Sequence, residues 1–341
     1  MQKKTEAAFV PPASRSSARP LQTLASTAMI GTGVAVLGWL AYSAFFINHN
    51  RSLPEALEAE RRTYASRVAG ILSYYVSREN KAERPLVLLH SINAAASAYE
   101  MRPIFEHYRK HRPIYVLDLP GFGYSDRANR AYSPHLYTEA ITDFLRTQVK
   151  EQSAVDVIAL SLSAEFAAMA ALAMPEKVRS LAFISPTGLD RRARGMGSEI
   201  AYRIMTLPLW SQGVYDLLVT KASIKFFLEQ SFEGAVDDGL LEYALLTTHR
   251  PGARYAPLCF VSGKLFTPNI LQNVYTQLPM PVLVLHDYDA FTGFDALPTL
   301  AAQHPNWQVR RIVPTRGLPH FERMSDVAEA LNAFWERLPA I

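Results

Sequence analysis

Cysteine is almost absent. Cys259 is the single one in 341 residues, so neither an intrachain disulfide framework nor a cysteine-rich zinc site is available to this chain. Excess charge is scarce as well: Lys+Arg 35 against Asp+Glu 31 leaves +4. Three of those four net charges sit in residues 1–20, a Pro/Ser-rich tail where Lys3, Lys4, Arg15 and Arg19 face only Glu6. The rest is close to neutral and lacks any Lys/Arg stripe interleaved with aromatics, which excludes a nucleic-acid partner. Nothing repeats at a fixed period. With 49% hydrophobic and 19% charged residues, the chain is too apolar for a disordered protein and long enough to bury a full core.

The most conspicuous absence is local. Residues 21–47 hold no Asp, Glu, Lys or Arg over 27 positions. At about 1.5 Å per helical residue such a run exceeds the roughly 30 Å hydrocarbon core of a bilayer. Trp39, Tyr42, Phe45 and Phe46 gather at one end, as an interfacial aromatic belt does. The expectation is a single-pass transmembrane helix over 21–47 and a membrane location. The rival is a cleavable signal peptide, with Ala41 and Ser43 as its small-residue site. Four Lys/Arg precede the run and Arg51, Arg61, Arg62 and Arg67 follow it, so the positive-inside count is a tie and leaves the side of the membrane open.

After the run, Ser52 to Glu55 reads as a capping box opening a linker helix within 48–62. Beyond it, apolar β-type runs at 71–76, 86–90, 114–118, 155–160, 181–185, 281–286 and 307–313 alternate with helical patterns near 98–110, 134–149, 163–173, 294–303 and 325–338. Several runs are continuously hydrophobic, as strands covered on both faces must be. The order specifies an α/β domain with a mostly parallel central sheet and crossover helices, over 63–189 and 279–341. Residues 190–278 break the alternation with amphipathic stretches at 198–207, 211–219, 222–230 and 237–248. They read as a helical cap over whatever site lies at the strand ends.

The chemistry concentrates at Val155-Asp-Val-Ile-Ala-Leu-Ser161-Leu-Ser163, where a strand ends in a serine and an alanine-rich helix begins at once. A nucleophile elbow needs this arrangement, with small residues two positions either side so that strand and helix can approach. Ala159 and Ser163 keep the small size without glycine. Gly121-Phe-Gly123 lacks a lysine at P-loop spacing and reads as a sharp turn. Glu165, one helical turn after Ser161, requires a partner if that helix is buried.

Around the serine, Leu86-Val-Leu-Leu-His90-Ser-Ile-Asn, Asp118-Leu-Pro-Gly121-Phe-Gly123-Tyr-Ser125, Pro281-Val-Leu-Val-Leu-His-Asp-Tyr-Asp289 and Leu318-Pro-His320-Phe-Glu follow in order. As a set, over about residues 63–341, they resemble the capped branch of the α/β-hydrolase superfamily, which includes esterases, proline iminopeptidases, haloperoxidases and epoxide hydrolases. The resemblance implies Ser161 as nucleophile, an acid after the 281–286 strand and a histidine near the C-terminus. It implies oxyanion donors at the backbone N–H groups of Ile92 and Leu162, with Ser91 and Asn93 as support. Aligned strictly, the acid falls on Ala290 and the histidine on Gly317. The nearest residues of suitable chemistry are Asp289 and His320, with Asp287 and Asp295 as rival acids. His90 and His286, each ending a strand, read as structural.

The reading is a membrane-anchored serine hydrolase that cleaves an ester-like or amide-like bond of an apolar small molecule or lipid through an acyl-enzyme, with no metal and no cofactor. Epoxide hydrolase or dehalogenase chemistry needs a carboxylate nucleophile, and the elbow holds Ser161. The alternative is a non-catalytic binding or scaffold protein that retains the hydrolase fold.

Overall fold

The computed structural model describes residues 35–79, 83–149, 154–190 and 197–339. The chain divides into two units, Met1–Ile47 and Asn48–Ile341. In the first, residues 35–46 are helical (α1), with the Trp39 and Tyr42 rings 5.9 Å apart and those of Tyr42 and Phe46 stacked at 5.6 Å. Among the described residues no helix is long and apolar enough to cross a membrane. Residues 21–34 of the expected span, and the basic tail before them, lie outside the described residues.

The second unit is built on eight strands: β1 (Glu60–Ser66), β2 (Gly70–Ser77), β3 (Leu86–Leu89), β4 (Ile114–Leu117), β5 (Val155–Leu160), β6 (Val178–Ile184), β7 (Val282–His286) and β8 (Trp307–Arg311). They form one sheet in the order β1-β2-β4-β3-β5-β6-β7-β8. β1 and β2 pair antiparallel, as do β2 and β4, and every later pair is parallel. The helices in chain order are α2 (Arg102–Tyr108), α3 (Pro134–Thr147), α4 (Ser163–Ala173), α5 (Glu199–Met205), α6 (Ser211–Leu218), α7 (Lys221–Glu229), α8 (Asp238–Thr248), α9 (Tyr255–Val261), α10 (Ile270–Asn273), α11 (Leu297–Gln303), α12 (Pro319–Glu322) and α13 (Met324–Glu336).

Strand periodicity of two divides the core between the sheet faces. Val87, Leu89, Val157, Phe183 and Val284 join one cluster with residues of α3, α4 and α11; Leu86, Leu88, Ile158, Ile184 and Leu285 join another with α2 and α13. Both faces are therefore covered, and the continuously apolar strands have their cause. Between β6 and β7, helices α5 to α10 form the insertion expected at 190–278, and it has an apolar cluster of its own around Tyr215, Ile224, Leu241 and Leu258.

One expectation fails outright. No helix occurs over 48–62, and β1 begins at Glu60. The segment instead buries Leu53, Ala56 and Leu57, and three tyrosines take its backbone groups. The Ala56 N–H donates to Tyr75 Oη at 3.0 Å, Tyr243 Oη donates to the Pro54 carbonyl at 3.1 Å, and Tyr124 Oη donates to the Leu53 carbonyl. Backbone groups held by tertiary partners have no need of helical ones, whatever Ser52 and Glu55 would cap.

Next to the first residue of β5, the strand that carries Ser161, lies a buried carboxylate. Asp156 is 1% exposed and accepts from Arg112 Nη2, from Ser180 Oγ at 2.6 Å and from Arg179 Nη1 at 3.4 Å. Arg112 also sits over the Trp335 ring at 4.5 Å, tying β5 to α13. Removing the carboxylate leaves a buried guanidinium without its counter-charge, so Asp156→Ala is expected to lower stability by about 3–5 kcal/mol, read as a shifted urea midpoint.

Candidate active site

The turn from β5 into α4 is strained. Ser161 has φ +56°, a region that costs a non-glycine residue about 1–3 kcal/mol. Its N–H donates to the Ile184 carbonyl at 2.8 Å, pinning the turn to the end of β6. Fully buried Ala159 and Ser163 flank it, and Ser163 Oγ donates to the His90 carbonyl, which fastens α4 to the end of β3. Ser161 lines a cavity of about 480 Å³ whose walls are mostly apolar, with Leu218, Ile224, Phe227, Leu240 and Phe260 from the insertion and Ala94 and Ala95 from the loop after β3.

Ile92 and Leu162 line the same cavity and are buried. Neither backbone N–H has a hydrogen-bond partner among the described residues. Two free donors beside a serine hydroxyl can receive a carbonyl oxygen or carboxylate. The loop that presents Ile92 is organised by a residue the sequence reading passed over. Glu100 is 6% exposed; its carboxylate accepts from the Ser91 N–H at 2.8 Å and from Asn93 Nδ2 at 2.8 Å. Asn93 also donates to Ser91 Oγ and accepts from the Ala95 N–H, so Ser91 and Asn93 act on Glu100 and on the loop. Burial raises the Glu100 pKa above the usual carboxylate range. A carboxylate in an otherwise apolar stretch, Ala98-Tyr99-Glu100-Met101, was its only signal.

His90 is structural. It is fully buried, its Nε2 accepts from the Leu119 N–H at 3.0 Å and its Nδ1 donates to the Ser91 carbonyl at 2.6 Å. Gly123 lets the chain pass over Asp118, which accepts from the Ala98 and Tyr124 N–H groups. The Gly121-Phe-Gly123 segment is thus a turn around a buried carboxyl. Glu165 has partners: Thr187 Oγ1 and the Thr267 N–H, at 2.8 Å, both donate to it, joining α4 to the insertion.

The shifted triad does not assemble. His320, in α12, is fully buried and lies outside the Ser161 cavity. Its Nε2 donates to the Glu100 carbonyl at 2.7 Å, and Nδ1 has no partner. A carbonyl only accepts, so Nε2 holds the proton and is spent on the backbone. No hydrogen bond joins His320 to Ser161 or to Asp289, and the Ser161 hydroxyl has no hydrogen-bond partner among the described residues. Asp289 does line the cavity, with Oδ1 accepting from the Phe291 N–H at 2.7 Å and the Thr292 N–H at 3.2 Å. Of the rival acids, Asp287 accepts from the Arg311 guanidinium and the Thr315 N–H, and Asp295 is exposed.

Gly317, by contrast, lines the cavity. A Cβ placed on it would come within 2.9 Å of Asp289 Oδ2 and 3.6 Å of Ser231 Cβ, and no positive φ restricts it. Position 317 thus faces the serine cavity, where the strict alignment puts a histidine, and it carries no side chain. Among the described residues lining the cavity, the only ionisable side chains are Glu100 and Asp289.

With this geometry in hand, the chain can be set beside known proteins. The model of the alpha/beta hydrolase family matches residues 86–330. No curated protein matches the chain in sequence. Among solved structures, a serine hydrolase involved in carbazole degradation superposes with a TM-score of 0.65 at 15% identity, covering 82% of this chain and 99% of that one. A membrane phospholipase A, described as a bacterial virulence factor, gives 0.62 at 18% identity over 94% and 98%. A carboxylesterase from Bacillus subtilis gives 0.63 at 15% over 89% and 98%. At such identities the likeness is one of fold.

The placement of His320 has a pH signature. Burial pushes the pKa of His320 down to about 4, so it is neutral when folded and takes up a proton on unfolding once pH falls below about 6.5. The stability it contributes is complete above about 6.5 and is lost as pH falls through about 4. His90, also pushed down to about 4, behaves alike; Asp118, raised by burial to about 6, has the opposite sign. A comparison with His320→Gln isolates the one residue. The stability advantage of wild type over this variant should shrink steadily as pH falls from about 6.5 towards about 4. A difference that stays flat over this range contradicts a buried, neutral His320.

Proposed function

Because the chain belongs to the α/β hydrolase family, we propose that it takes an apolar ester or carboxylate, a small molecule or a lipid acyl group, into the Ser161 cavity. The carbonyl oxygen rests on the Ile92 and Leu162 N–H groups, and the protein acts as a binding module on a hydrolase fold. One observation carries the reading: the cavity-lining position where the strict alignment puts a histidine is Gly317, while His320 is buried outside the cavity and bound to a backbone carbonyl. A serine hydroxyl is a weak nucleophile without an imidazole to take its proton. Apolar walls around a small polar focus suit a hydrophobic molecule with a single carbonyl end.

A second reading is favoured by the other half of the site. Retention of a strained elbow and two free amide donors supports ester hydrolysis through an acyl-enzyme on Ser161, and solved neighbours named as carboxylesterase and phospholipase A fit that chemistry. Under either reading the protein is held at a membrane through residues 21–47. The support is the uncharged length of that run.

Fluorophosphonate labelling separates the two readings. Wild type should label slowly. Gly317→His, alone or with Ala290→Asp, should raise labelling and ester hydrolysis by about 10²-fold or more, the usual contribution of a positioned general base. Asp289 would need to swing aside for the new imidazole and would then stand beside it. Fast wild-type labelling that Ser161→Ala abolishes would establish the hydrolase reading instead.

The anchor has its own test. The full chain should stay with membranes through a carbonate wash. Recovery of soluble protein lacking residues 1–43 would identify a cleaved signal peptide.

A further inference from the structure

Three consecutive helices of the insertion and the turns between them leave large apolar side chains in the open. Ile200 is 72% exposed, Ile204 52%, Leu207 43%, Leu209 78%, Leu217 54% and Phe226 56%. Scattered apolar exposure is ordinary, but six such side chains within residues 200–226 make a concentration that folding alone does not call for. Two of the three helices also serve the cavity: Leu218 of α6 and Ile224, Phe227 and Leu228 of α7 line it. The exposed Leu217 and Phe226 are direct chain neighbours of the lining Leu218 and Phe227.

The start of the second unit is fastened to this element. His49 Nε2 lies 2.9 Å from Asp216 Oδ2, and Asp216 immediately precedes Leu217 in α6. The Arg51 N–H donates to the His249 carbonyl at 3.1 Å, and Arg250 Nη1 donates to the Arg51 carbonyl at 3.3 Å. The uncharged run ends at Ile47, two residues before His49, a reach of at most about 7 Å. The last residue of the run is thus within covalent reach of His49, which Asp216 of α6 holds.

We propose that the exposed apolar side chains of residues 200–226 rest in the headgroup layer of the bilayer that holds residues 21–47, so that the Ser161 cavity draws its apolar ligand from the lipid phase. This rests on the membrane anchor argued under the proposed function and is independent of whether Ser161 turns over. A lipid surface is favoured over a protein partner because the proposed span ends two residues before His49, the residue that Asp216 of α6 holds. The contact is mainly apolar in kind: of the exposed cations within 200–226, Arg203 and Lys225 are paired within their own helices to Glu199 and Glu229, and Lys221 alone adds a charge, which leaves association only weakly sensitive to salt.

The test uses the full chain in phosphatidylcholine nanodiscs. Its native thiol, Cys259, is 1% exposed, so single cysteines placed on the surface can be labelled selectively with an environment-sensitive dye. Labels on Ile204→Cys, Leu209→Cys and Leu217→Cys should emit to the blue and be quenched by doxyl-labelled lipid, at low and high salt alike. Labels on Lys110→Cys and Glu176→Cys, exposed positions at the amino ends of β4 and β6, should do neither. Insertion labels that behave like those at 110 and 176 overturn the proposal. A blue shift that grows with protein concentration and ignores doxyl lipid assigns the face to a second copy of the chain and overturns it too. Failure of the chain to enter nanodiscs removes the anchor and this proposal together, and leaves the fluorophosphonate outcome untouched.

Discussion

A serine held at φ +56° between a buried strand and a buried helix is the constraint around which the second unit is arranged. The conformation persists only where its surroundings over-determine it. Here the determinants are identifiable. The Ser161 N–H is taken by the end of β6, Ser163 Oγ by the end of β3, and Ala159 and Ser163 are small enough to bury completely. One turn along, Glu165 ties α4 to Thr187 and Thr267. Helix α4 is thereby fixed to strand ends on both sides of β5 and to the insertion, and the direction of the Ser161 side chain follows.

The second half of the site is organised from the opposite direction. Glu100 reaches back to Ser91 and Asn93 and shapes the loop carrying Ile92, while its own carbonyl accepts from His320. Two ionisable side chains near the Ser161 turn thus serve as framework for the loop that carries Ile92. What the cavity holds beside Ser161 is a pair of backbone N–H groups, of Ile92 and Leu162, without partners among the described residues. At Gly317 there is no side chain to move a proton.

Much of this could be read from the sequence, and the failures have physical causes. The parallel strands were visible as continuous apolar runs because both sheet faces are covered, and the insertion helices at 198–207, 211–219, 222–230 and 237–248 fall within a few residues of α5 to α8. β1 was missed because Glu60–Ser66 is an edge strand of mostly polar residues, only partly buried and paired on one side alone. The linker helix was over-read because a capping box is a local signal, and the tyrosine hydroxyls that claim the 53–56 backbone come from positions 75, 124 and 243. His320 was preferred over the register because it has the right chemistry. Yet a shift of three residues crosses most of a helical turn, and the strict alignment to Gly317 identified the position that faces the cavity.

The insertion leaves the sheet at the end of β6 and returns to it at β7, and these two strands are immediate neighbours, with Leu181 opposite Val282 and Ile184 opposite Leu285. The connection therefore starts and finishes on adjoining rails. Lengthening, trimming or exchanging it alters no strand pairing, and loop-closure entropy rises only slowly with its length. The strand order and the insertion are separable in topology, but not at every contact: buried Glu165 of α4 takes both Thr187 and Thr267 from within this connection. A lineage, or an engineer, can recast the cavity wall by grafting a different insertion between Ser185 and Pro281 without rebuilding the sheet, so long as the graft returns donors to Glu165.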